Sequence, residues 1–170
     1  MDLRKFFKDR QTGSSTPPPS IYPRAPGTSI GYDPLLIKRL RADHRRLLDL
    51  FAQTQALLTT TDYDAVRRKL GELRIILQEH LVIVTNKFYV YLARQLADDR
   101  EKAALVSGHR RAMLSNSREI MDFAGTYGAI RLDDRGAELF QTELLAIGAA
   151  LVRRIEHEES ELFALYRAAY

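Results

Sequence analysis

The chain has no cysteine in its 170 residues. That excludes disulfides, thiolate zinc sites, iron–sulfur ligation and cysteine nucleophiles, and it fits an intracellular, cytoplasmic protein. No run of about 18 apolar residues occurs, so no membrane span is expected. Met1 to Arg10 is charged and lacks an apolar stretch, so it does not read as a secretory signal. Also missing are a Gly-rich phosphate loop, a nucleotide fingerprint and any Ser/His/Asp constellation. No catalytic residues are therefore assigned, and an enzyme is not expected. Proline is absent from everything after Pro34.

The apolar share of 45% and charged share of 28% are those of an ordinary globular domain, and the length suits one core. The net charge of +4 is mildly basic. Its cations fall in short clusters (Lys38, Arg39, Arg41; Arg67, Arg68, Lys69; Arg110, Arg111) that alternate with apolar positions. Such alternation marks a solvated helix face, and no nucleic-acid partner is expected.

Residues 1–32 read as a flexible tail, because they hold five of the six prolines together with the Gly and Ser of Thr12 to Ser20. Phe6 and Phe7 are assigned to that tail. Asp33-Pro34 then opens the folded unit, 33–170, with Asp as a helix cap and Pro in the first turn.

Four helices are predicted: Pro34 to Leu58, Asp62 to Leu96, one from near Asp98, and one from Asp133 or Asp134 to the C-terminus. Asp98 and Glu101 stand at capping-box spacing. Apolar residues recur every three or four positions in all four segments. Short connections make consecutive helices antiparallel neighbours, so the fold is all-α, a four-helix up-and-down bundle. The middle of the second helix (Leu81, Val82, Ile83) is apolar nearly all round, which predicts deep burial or an extra contact.

Three of the four histidines, His44, His80 and His109, lie on the apolar faces of three successive helices. A single core imidazole usually fills space as a neutral, hydrogen-bonded group. One per helix is how bundle cores build metal sites, with inward side chains meeting at one level.

Four segments carry a resemblance. They are Ala42-Asp43-His44, then Glu79-His80-Leu81 with Lys87 to Leu92, then Gly108-His109, and Arg154-Ile155-Glu156-His157-Glu158-Glu159-Ser160-Glu161-Leu162-Phe163. Together they resemble the hemerythrin-like (HHE cation-binding) family. That resemblance implies His on the first helix, His-x-x-x-Glu on the second, His on the third and His-x-x-x-Glu/Asp on the fourth. These ligands hold two irons bridged by the two carboxylates, which bind or sense oxygen or iron.

Two positions depart from the family pattern: Val84 stands where the second helix should carry a carboxylate, and Arg154 stands four residues before Glu158. The alternative pair on the fourth helix is His157 with Glu161. At about 100° per residue, Arg154 and Glu158 fall within roughly 60° of the apolar stripe while His157 points some 120° away, so Arg154 and Glu158 are the preferred core pair. Arg154 is then expected to pair with Glu158 and to repel a metal.

The surviving set of His44, His80, His109 and Glu158 suits one iron or zinc ion rather than a di-iron centre. The function expected is a hemerythrin-like domain with a degenerate metal site, acting as a regulatory, signalling or protein-interaction module with a protein partner. The alternative is a mononuclear iron or zinc protein that senses or binds oxygen or iron. Oligomerisation is open.

Overall fold

Asp62, Asp99 and Asp133 each accept a hydrogen bond from the backbone N–H three residues on, at 2.9, 3.1 and 2.8 Å. These carboxylates satisfy donors that a helix start leaves unpaired, and they begin three of the four helical rods. The third rod is thus capped by Asp99 and not by Asp98, one residue beyond the capping-box reading.

The computed structural model describes residues 22–130 and 132–168. Helix α1 spans Leu36–Leu58 and α2 spans Tyr63–Ile83. A π-helical stretch, Val84–Tyr89, carries α2 on into α3, Val90–Gln95. Helix α4 spans Arg100–Ala129. Helix α5, Asp134–His157, runs into a second π-helical stretch, Glu158–Leu162, and a 3-10 turn, Phe163–Leu165. The expected second and fourth helices are therefore continuous rods, each widened once by a π turn. Helix α1 packs on α2 and α5, and α4 packs on α2 and α5, which closes the four-helix ring. No described helix is long and apolar enough to cross a membrane.

Two apolar clusters fill the bundle. One contains Leu47, Leu77, Ile120, Leu151 and Ile155. The other contains Leu40, Val84, Met113, Phe88 and Leu162. Between them lies a polar layer. His44 sits between Leu40 and Leu47, His80 between Leu77 and Val84, Ser117 between Met113 and Ile120, and Glu158 between Ile155 and Leu162. Burying polar groups at one level costs free energy unless they satisfy one another, so this layer is where chemistry or specificity is concentrated.

Two expectations change at the surface. Val82 is 62% exposed, so the apolar run on the second helix is not all core. Residues 22–32, read as part of the tail, pack on the bundle end: Ala25 is buried, Tyr32 stacks on Tyr166 at 5.0 Å, and the Asp33 amide donates to the Tyr166 hydroxyl at 2.9 Å. Aromatic stacking and a closed hydrogen bond hold this segment where composition alone suggests solvation. The rest of the tail reading, including Phe6 and Phe7, lies outside the described residues.

Candidate metal centre

His44 and His80 reach the polar layer because α1 and α2 are antiparallel neighbours with both apolar faces turned inward. Their rings stand 5.1 Å apart, centroid to centroid. Two imidazoles on one ion, with metal–nitrogen bonds of about 2.1 Å, place their centroids at about 5 Å. Glu158 enters the same layer from the start of the second π turn. One donor atom from each of His44, His80 and Glu158 lies within 4.8 Å of the other two, and all three residues are buried. The His44 ring also stacks on Phe163 at 5.8 Å, which fixes its plane.

The proton positions follow from the partners. Nδ1 of His44 is 2.9 Å from Oε1 of Glu159, and a carboxylate only accepts, so the tautomer with the proton on Nδ1 suits this contact. Nε2 of His44 faces Oε2 of Glu158 at 3.3 Å. If the ring is neutral, two lone pairs oppose each other there. A proton or a metal ion between them removes that repulsion. His80 repeats the arrangement more loosely: Nδ1 faces Oδ2 of Asp43 at 3.5 Å, and neither ring nitrogen has a hydrogen-bond partner among the described residues. A carboxylate facing one nitrogen of an imidazole whose other nitrogen is free is the usual outer support of a metal ligand.

Glu158 has two further partners. The Tyr89 hydroxyl donates to Oε1 at 2.8 Å and Arg154 Nη1 donates to Oε2 at 3.2 Å. Burial pushes the Glu158 carboxyl up, but the contact with His44, the charge of Arg154 and the Tyr89 hydroxyl outweigh it and bring it down to about 2. Burial is also the main influence on His80; it lowers the imidazole below its ordinary value, and Asp43 only partly opposes this. The Tyr89 phenol is raised by burial and by the Glu158 charge, so it remains a donor.

The family model of the hemerythrin HHE cation binding domain matches residues 35–166. The chain belongs to that family. No curated protein and no solved structure matches it.

In this hemerythrin-family bundle the predicted site residues separate into two places. His44, His80 and Glu158 converge, with Arg154 paired to Glu158 and with Val84, fully buried, in the apolar cluster one turn beyond His80. His109 does not join them. It is eight residues, about two turns, from Ser117, which occupies the polar layer on α4. Its Nε2 instead meets Oε2 of Glu161 at 3.0 Å, and its ring lies 6.4 Å from that of His157, which is exposed.

Three partners of the hemerythrin-family site escaped sequence reasoning. Tyr89 is brought to Glu158 by the π turn, which helical spacing does not reveal. Glu159 flanks Glu158 and is outside the predicted ligand set, yet it meets Nδ1 of His44. Asp43 adjoins His44, and adjacent helix residues do not share a face, yet it reaches across to His80. The signal available for all three was adjacency to a ligand candidate, which has no directional meaning until neighbouring helices are placed.

Proposed function

We propose that this hemerythrin-family domain is a regulatory or protein-interaction module whose metal site has been taken over by the protein's own charges. The observation that carries this reading is the buried contact between Arg154 Nη1 and Glu158 Oε2 at 3.2 Å. With Val84 in place of a second carboxylate, the layer keeps one buried acid where a two-ion centre needs two. A proton between His44 and Glu158 makes the layer neutral, since His44 and Arg154 then balance Glu158 and Glu159. The part-exposed Arg41 and Asp43 at its edge cancel each other. A divalent ion in place of that proton leaves one excess positive charge, and buried charge without compensation is costly. The donors present therefore fit at most one ion and do not fit a pair.

The partner we infer is a protein. Ile75 and Val82, seven residues apart on α2, are 58% and 62% exposed, an apolar pair on one helix face with no role in the core. No nucleic acid and no catalysed reaction enter this reading.

A second reading has its own support: one iron or zinc ion held by His44, His80 and Glu158, in a domain that senses or binds oxygen or iron. The opposed lone pairs at 3.3 Å and the unpartnered Nε2 of His80 favour it. Two imidazoles and a carboxylate suit either metal; iron adds redox chemistry, zinc only charge.

Elemental analysis separates the readings. Protein is expressed with added iron or zinc beside the Val84→Glu/Arg154→His double variant. A natural chain whose metal content His44→Ala leaves unchanged, beside a double variant that takes up more, supports the charge-replacement reading. About one metal per natural chain, lost in His44→Ala, overturns it in favour of the second.

A further inference from the structure

We propose a second, surface cation site made by His109, His157 and Glu161, separate from the buried layer and selective for borderline divalent metals such as Zn2+. The chain's four histidines divide evenly: His44 and His80 are buried between the apolar clusters, while His109 and His157 meet at the outer edge of α4 and α5. His157 and Glu161 are four residues apart, so they share the solvent side of the helix whose inner side presents Glu158. His109 comes from the neighbouring helix and already places Nε2 3.0 Å from Oε2 of Glu161. Its side chain is 17% exposed and that of Glu161 is 43% exposed, so an ion arrives from solvent without opening the bundle.

The distances leave one adjustment. The His109 and His157 rings are 6.4 Å apart and nearly perpendicular. Two imidazoles sharing an ion with metal–nitrogen bonds of about 2.1 Å come to about 5 Å. His157 is exposed, so its side chain is free to turn toward His109, and the site requires that turn. Two neutral imidazoles and one carboxylate then supply three ligands, water completes the shell, and the acid offsets half the ion's charge. Burial does not oppose this site, and no arginine is paired with Glu161 among the described contacts.

The test is calorimetric titration of untagged, chelator-treated full chain with ZnCl2. In a His44→Ala/His80→Ala background, one zinc equivalent per chain should persist, and adding His157→Ala should weaken it about tenfold or more. Should that background fail to fold, His157→Ala and Glu161→Gln in the natural chain carry the test, since both positions face solvent. Each must then remove one zinc equivalent. A natural chain that takes up no zinc, or whose zinc binding is untouched by both single variants, overturns the proposal.

Discussion

The hydroxyl of Tyr89 donates to Oε1 of Glu158 at 2.8 Å, giving the one buried carboxylate of the polar layer a partner that carries no charge of its own. Arg154 and His44 approach the other oxygen, Oε2. The acid is therefore held from three helical rods at once, and each contact can be removed separately.

Tyr89→Phe deletes one hydrogen bond to an ionised group and leaves the ring packing intact. Such bonds contribute about 1.5–3 kcal/mol. The urea midpoint should fall accordingly with an unchanged m-value. No change in midpoint would mean that Arg154 and His44 alone secure the carboxylate.

Arg154→Ala leaves Glu158 buried with its main counter-charge gone, a loss expected to cost about 3–5 kcal/mol. Arg154→Met combined with Glu158→Gln removes both charges while keeping most of the volume, and it should recover the larger part of that loss. The double-mutant cycle sets the natural chain beside Arg154→Met, Glu158→Gln and the double variant, read by thermal and urea unfolding. Were the double variant no more stable than Arg154→Met alone, uncompensated charge on Glu158 would not explain the loss.

Acid should destabilise the bundle in two stages. His80 has a folded pKa below its ordinary 6.5, so on acidification the unfolded chain takes up the proton first, and stability drops as pH falls below about 6.5. Glu158 is held down to about 2 against an ordinary 4.5, so the stability it contributes is present above 4.5 and is lost as pH falls towards 2. Melting temperature measured between neutral pH and pH 3 should fall in both windows. His80→Gln should flatten the upper window only; a profile unchanged by that variant would assign the upper window to another group.

Thr61, in the turn between α1 and α2, has φ of 54°. A β-branched residue in the left-handed region is strained, and glycine is not. Thr61→Gly should therefore raise stability by up to about 1 kcal/mol, seen as a higher melting temperature. A lower one would show that the threonine side chain contributes more than its backbone strain costs.

Much of the candidate metal centre was readable before any fold. Recurrence at three and four residues put His44 and His80 on core faces, and the phase of the fourth helix chose Arg154 and Glu158 over His157 and Glu161. The buried ion pair at 3.2 Å and the exposed His157 agree with that phase. His109 shows the limit. It shares a face with Val106 and Met113, yet it lies about two turns from the polar layer, where α4 presents Ser117. The two π turns were equally hidden, because each is one extra residue accommodated by packing, with no composition of its own. Tyr89 owes its contact with Glu158 to the first of them.

Local chemistry in the sequence determined that there are four amphipathic helices, in this order, with these faces inward and short antiparallel connections. Periodicity is an angle around one axis, and capping and turn residues act within a few positions, so both are complete in the chain itself. The tertiary structure decided the heights: which His meets which carboxylate, where Asp43, Glu159 and Tyr89 point, and where Val82 ends up. Those depend on how far each helix slides along its neighbours, and that offset is set by side chains interlocking from all four rods together.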